Sequence, residues 1–395
     1  MKFFINSYFG DNQSIGLLSH IKKRLPYGMD DQWMVFSHYT ERGWTVDNLW
    51  HIFTDFYGGQ YAPLAFLSYL VLYAGFGYDP FYFHMFSLLL HIGCVCLVWK
   101  LISSLLRVHG GVSEKQILYV NFITTLLFAV HPINVEAVAW ISALKVLLYA
   151  FFYLLGLLCY LRYIRTSKIF YYVLTIGCFL CSFWGKEQAV TFPLALLIVD
   201  WFTNRNMKNL EVWSEKMSFL IMAFFFGIIT VLSQGKGPYE MIFPLYQRLL
   251  FGCFALVEYI TKSLLPVNLN FFYPFPIVLG EEPPLHYYLY PVVLLFLMGW
   301  IIAYRNNRYL VFGVLLFLVN LLFSIHLFNM SRHAIVADRY MYLSYVGIAF
   351  LIANGIWWLR KRLSYFKAAL VFLFFYCFFL SVYTFHYTKK RENTT

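Results

Sequence analysis

The chain has 395 residues, of which 61% are hydrophobic and only 12% charged, with a mean hydropathy of +0.64. A soluble domain carries about twice that charged fraction, so composition excludes one and indicates an all-α polytopic membrane protein. The net charge of +11 comes from Lys and Arg scattered over short loops, which fits topology determinants and excludes a nucleic-acid-binding patch.

Residues 1–81 form the first unit. Met1 to Gly59 is polar and aromatic, with no spanning segment and no signal-peptide pattern. Within it, Tyr27-Gly28-Met29-Asp30-Asp31-Gln32-Trp33 sets two carboxylates side by side in a chain with only 19 acidic residues. Tyr61 to Phe76 is apolar but short, and reads as a surface-lying or re-entrant helix.

Residues 82–388 carry about ten expected membrane helices: Phe83–Leu106, Ile117–Val130, Val135–Tyr163, Ile169–Trp184, Ala189–Phe202, Met217–Leu232, Tyr287–Ala303, Tyr309–Phe328, Tyr340–Leu359 and Phe366–Phe385. Tyr246 to Leu265 holds Arg248, Glu258 and Lys262 in an apolar background, and reads as an amphipathic or re-entrant helix on the outer face. That assignment lets five basic loops share the cytoplasmic side. They are Arg107 with Lys115; Arg162, Arg165 and Lys168; Arg205, Lys208 and Lys216; Arg305 and Arg308; and Arg360 to Lys367. The basic tail, residues 389–395, then lies outside. So does everything before Phe83, which implies a further membrane helix upstream. The seven cysteines fall in apolar segments and read as buried helix residues, with neither disulfides nor a metal site expected.

This orientation gathers the polar clusters on the outer face. They are Asp30-Asp31; His131-Pro132-Ile133-Asn134-Val135-Glu136; Lys186-Glu187; Asn270 to Pro276; and Ser331-Arg332-His333 with Asp338-Arg339. Ionisable groups at a membrane boundary are costly unless they pair or serve a site. Each also has a structural reading. Asp30-Asp31 can cap a helix. His131 and Glu136 can end one helix and start the next. Lys186-Glu187 can be a mutual surface ion pair, Asp338-Arg339 an internal salt bridge at a helix start, and Lys145, near an outer helix end, can snorkel or hold an anion. His84 and His91 share a helix face and read as structural.

In order along the chain, Tyr61-Ala62-Pro63-Leu64, Phe83-His84 through Leu90-His91, His131 to Ser142, Lys186 to Leu194 with Asp200, Leu265-Pro266-Val267-Asn268-Leu269 with Tyr273-Pro274-Phe275-Pro276, and Ala337 to Leu343 resemble one family. It is the transmembrane-and-TPR O-mannosyltransferases with their bacterial homologues, within the GT-C glycosyltransferases. The resemblance runs from about Asp30 to Gly347.

It implies a GT-C-type bundle with re-entrant or surface helices on the outer face. It also implies transfer of a mannose-like hexose from a polyprenyl-phosphate carrier to a hydroxyl acceptor, a protein Ser or Thr in the animal members. Asp30 and Asp31 match the family's catalytic acidic position. A hydroxyl nucleophile needs a nearby carboxylate to take its proton, and the departing lipid phosphate needs cations. Lys186, Arg339, Arg332 and Lys145 are the candidates, with His131, Glu136, Glu187 and Asp338 beside them. No other cofactor is implied, and the metal requirement stays open.

The chain departs from the family in its first helix, in the Leu144-Lys145-Val146 stretch where many relatives have Arg-Lys-Asp, and in ending without tetratricopeptide repeats. The expected setting is a bacterial inner membrane with the site facing the periplasm. Two alternatives remain: a transferase acting on cell-envelope lipid or polysaccharide, and a transporter or flippase, which would show paired inverted repeats.

Overall fold

The computed structural model describes residues 31–234, 243–270, 272–327 and 334–394. Before the first long helix come α1 (Asp31–Met34), α2 (His38–Glu41), α3 (Val46–Thr54) and α4 (Pro63–Phe76). There follow α5 (Pro80–His109), α6 (Glu114–Val130), α7 (Val135–Ala139), α8 (Leu144–Thr166), α9 (Ile169–Gly185), α10 (Phe192–Phe202) and α11 (Leu210–Gln234). The rest is α12 (Leu245–Leu264), β1 (Tyr273–Pro274), α13 (Leu289–Ala303), α14 (Arg308–Leu321), β2 (Ala334–Val336), α15 (Met341–Trp358) and α16 (Leu363–Thr394).

Local chemistry sets the helix ends. Asp79 accepts the Phe81 N–H and Pro80 opens α5, while Gly110, at φ 77°, lets the chain leave it. Ser113 caps α6 through the Gln116 N–H, and Asn307 caps α14 through Tyr309 and Leu310.

Among the described residues, six helical stretches are long and apolar enough to cross a membrane: Pro80–His109, Ile141–Thr166, Leu210–Ser233, Leu285–Ala303, Asp338–Lys361 and Leu363–Lys389. The bent pair Glu114–Val130 and Pro132–Ala139 makes a seventh if counted as one span. Pro63–Phe76, Ile169–Gly185 and Arg308–Leu321 are apolar but shorter. The ten expected spans are therefore not all matched, and the reason is local. The expected helix Val135–Tyr163 is interrupted at Trp140, whose backbone is extended before a 3-10 turn at Ile141–Ala143. The expected helix Ala189–Phe202 opens as a 3-10 turn and leaves 11 residues of α10, roughly 16 Å of rise. In both places the polar motif takes the backbone that a straight helix would have used. Helix α12 is not among the candidate spans and buries one face, including Gln247, Tyr259 and Lys262.

Helix α8 is the axis of the bundle, with most of its length buried between α5 and α9. A second set, α6, α14 and α15, packs beside it through α5. Helices α14 and α15 approach backbone to backbone. A Cβ on Gly347 would fall 2.5 Å from the Gly313 carbonyl oxygen, so only glycine admits this crossing. By contrast, α13 and α16 bury little of their apolar surface. A two-residue antiparallel pairing of β1 with β2 holds the chain just before Asp338.

At the bundle end away from Lys145 and Lys186, Asp200, fully buried on α10, accepts the Tyr160 hydroxyl at 2.8 and 2.9 Å and pairs with Lys216 and Arg205. Arg205 also grips Glu215 at 2.6 Å, so one ionic cluster clasps α8, α10 and α11. Its charges are mutually satisfied, as burial requires.

Candidate active site

Glu136 on α7 is buried, and its carboxylate accepts the Arg339 backbone N–H at 2.7 Å and the Arg339 Nη1 at 2.5 Å. The Arg339 guanidinium lies 5.1 Å from the ring centres of both Trp140 and Tyr340, so two aromatic faces and one carboxylate orient it. The extended backbone at Trp140, which interrupts the expected helix, therefore carries one wall of the arginine's socket.

Lys186 follows the C-terminus of α9 and is buried, with its ammonium 4.8 Å from the Tyr340 ring centre. Burial pushes its pKa down to about 8. Glu187 and Tyr340 oppose that shift, while the like charges of Lys145 and Arg339 add to it. Lys145, Lys186 and Arg339 thus share one electrostatic neighbourhood. No described ion pair joins Lys186 to Glu187, so the expected mutual pair between these neighbours does not form.

Lys145 opens α8 and is held by the Gln60 Oε1 at 2.5 Å and the Met34 Sδ at 3.5 Å. Both partners come from the segment before the first long helix. Gln60 ends the turn Tyr57-Gly58-Gly59-Gln60, closed by reciprocal backbone hydrogen bonds of 3.1 Å. Gly58 and Gly59 supply the positive φ values (58° and 71°) that such a tight reversal needs. A Cβ on Gly58 would sit 2.5 Å from the Trp33 ring, so the turn and α1 are in direct contact.

Asp338 and Arg339 do not pair with each other as an internal bridge. Asp338 is buried, 3.6 Å from the Lys262 Nζ, and accepts the Tyr273 hydroxyl at 3.3 Å. The Lys262 ammonium also lies 3.4 Å from the Tyr273 ring centre and 3.6 Å from Glu258. Neighbouring residues in sequence thus bind opposite partners: Arg339 reaches α7, and Asp338 reaches α12.

His131 is buried: its Nδ1 accepts the Ile133 N–H, capping the 3-10 turn, and its ring lies on Tyr345 at 4.2 Å. His91 is likewise internal, bonded through Nδ1 to the Tyr342 hydroxyl at 2.7 Å.

Asp30 and Arg332 lie outside the described residues. The backbone of Asp31 begins α1, which packs beside the 3-10 turn Ile141–Ala143, and Met34, one helical turn on, touches Lys145. Among the described residues no group of three His, Cys, Asp or Glu side chains could hold a metal ion.

Sequence reading did not single out Gln60, and it placed Trp140, Tyr273 and Tyr340 within motifs without giving them a role of their own. Glu258 and Lys262 were visible as charges four apart on an apolar helix, a spacing that places both on one face.

Comparison with known proteins finds relatives in one group of enzymes. The chain is 32% identical over 189 residues to the mouse protein O-mannosyl-transferase TMTC2, covering 44% of this chain and 21% of the relative. The chain resembles the protein O-mannosyl-transferases. Human TMTC2 is 33% identical over 189 residues, covering 44% and 21% of the two chains. Drosophila melanogaster Tmtc3 is 28% identical over 172 residues, covering 39% and 18%. The matched stretch spans about a fifth of the length of these curated relatives. No family model and no solved structure matches the chain.

Proposed function

We propose that the chain is a membrane glycosyltransferase that moves a mannose-like hexose from a polyprenyl-phosphate carrier to a hydroxyl acceptor, a protein Ser or Thr. The observation that carries the reading is the convergence of Lys145, Lys186 and Arg339 beside the helix that begins at Asp31. The similarity to protein O-mannosyl-transferases supports it independently.

A carboxylate of Asp30 or Asp31 takes the acceptor O–H proton as the oxygen attacks the anomeric carbon. The bond from that carbon to the phosphate oxygen breaks, and the polyprenyl phosphate leaves with the electron pair. Charge growing on the leaving phosphate is met by Lys186 and Arg339, with Lys145 alongside. Arg339 is preoriented by Glu136, so it does not reorganise during the reaction. Lys186 is buried and therefore interacts strongly with any anion that reaches it.

The basic loops fit a cytoplasmic side opposite these motifs, which supports a site on the outer face. The corresponding setting is a bacterial inner membrane with the site on the periplasmic side.

The test is transfer from a radiolabelled polyprenyl-phosphate mannose by the full chain in liposomes, with Ser/Thr peptides as acceptor. Of Asp30→Asn and Asp31→Asn, one is expected to lose at least about 10²-fold in rate. Transfer left intact by both substitutions rejects the assigned base.

A further inference from the structure

Lys262 on α12 is a buried cation that the proposed reaction does not use. Only 3% of it is exposed, and its ammonium lies 3.6 Å from the carboxylates of both Glu258 and Asp338, over the Tyr273 ring. A charge held out of water is costly unless it answers another charge. Glu258 is partly exposed, so water screens it. Asp338 is fully buried and has no such relief.

Asp338, Arg339 and Tyr340 form a single 3-10 turn. Three residues complete one revolution of such a turn, so successive side chains leave it about 120° apart. That geometry sends Asp338 to α12, Arg339 to Glu136 on α7 and the Tyr340 ring to Lys186. Any rotation of the turn moves all three together. Helix α12 fixes it at two points three residues apart on one helix face. The Tyr259 hydroxyl accepts the Ala337 N–H at 3.1 Å, and Lys262 takes Asp338.

The charges explain why a lysine is needed there. Asp338 and Glu136 are both buried carboxylates, close enough to repel one another. Arg339 answers Glu136 and Lys262 answers Asp338, so two acids are met by two bases. Without Lys262, one guanidinium would face two buried carboxylates and would be drawn from Glu136 toward Asp338. We propose that Lys262 is a positioning residue for Arg339: it neutralises Asp338 and so keeps the arginine on Glu136, available to the leaving phosphate. It acts through Asp338 rather than by touching substrate. The proposal rests on the reading that Arg339 meets the departing phosphate, and its test includes a readout without turnover.

The experiment compares Lys262→Met with the double variant Lys262→Met/Asp338→Asn, using the full chain in liposomes with polyprenyl-phosphate mannose and a Ser/Thr peptide. Lys262→Met is expected to lower kcat about tenfold with the peptide KM within about twofold, since the weakened contact is with charge that grows in the transition state. Adding Asp338→Asn removes the stranded charge and is expected to regain most of that loss. A lysine that merely packs α12 against the turn predicts the opposite, because a second substitution in the same contact only adds damage. A folded double variant with kcat no higher than Lys262→Met overturns the proposal. If Lys262→Met does not fold, the double variant strands no carboxylate and carries the test alone: a folded double variant still about tenfold or more below the unsubstituted chain overturns it.

The readout without turnover is the coupling of Glu136 to Arg339, taken from a double-mutant cycle of SDS unfolding in each background. It is expected to fall in the Lys262→Met background and to return when Asp338→Asn is added. Coupling that does not change with Lys262→Met overturns the positioning role. An unsubstituted chain that transfers no sugar rejects the proposed reaction, while loss and return of the coupling still upholds the hold of Lys262 on Arg339.

Discussion

Replacing Glu136 with Gln tests the socket that orients Arg339. Glu136 is 2% exposed at its side chain and Arg339 19%, so the pair is desolvated on the acid's side and partly screened on the base's. At an effective dielectric of about 20, unit charges about 4 Å apart attract by roughly 4 kcal/mol. The two charge-assisted hydrogen bonds are each of order 1.5–3 kcal/mol. The amide keeps one acceptor oxygen but turns an NH₂ toward a donor, so Arg339 loses its counter-charge and part of its bonding. Breaking a buried pair from one side costs about 3–5 kcal/mol, and the lower end is expected because Arg339 keeps some contact with solvent.

Unfolding of the protein in mixed micelles with rising SDS measures this directly. The double variant Glu136→Gln with Arg339→Gln is expected to recover at least about 1 kcal/mol relative to the sum of the single losses, because no charge is then stranded. A single Glu136→Gln loss within about 0.5 kcal/mol of zero, the range of ordinary surface changes, refutes the reasoning.

Lys186, with its pKa pushed down to about 8 by burial, loses its charge as pH rises through that value. Donor binding is expected to weaken above pH 8 in the unsubstituted chain, and Lys186→Arg is expected to abolish that limb because arginine stays charged. The stability sign runs the other way. The unfolded lysine binds its proton up to about 10.5, so this group makes stability rise between pH 8 and 10.5. A pH profile of donor KM, compared between the two proteins, reads the first effect separately from the second. Gly58→Ala is expected to cost about 1–3 kcal/mol, because it places a Cβ at a left-handed φ and against Trp33. A shift in tryptophan emission together with slower transfer would report it, and unchanged emission would contradict the contact.

Much of this molecule is legible in its composition and motifs. Long apolar stretches must be helical in hydrocarbon because no water satisfies their backbone, so the spans at Pro80–His109 and Leu363–Lys389 follow from hydropathy alone. The motif residues Lys145, Lys186, Glu136 and Arg339 were identifiable because charge is scarce in such a chain.

Their partners were not. Asp338-Arg339 read equally well as one internal pair, and nothing in the linear order says that the first would turn to Lys262 and the second to Glu136. The interruption at Trp140 was equally hidden, since hydropathy runs through it unbroken. Gln60, one uncharged residue at the end of a glycine turn, drew no notice until the fold set it against Lys145. Which residues cross the membrane is a matter of local solvation, and each stretch carries that information itself. Which buried charge meets which depends on helices far apart in the chain converging on one end of the bundle, and only the packing of α7, α8, α12 and the Asp338–Tyr340 turn decides it.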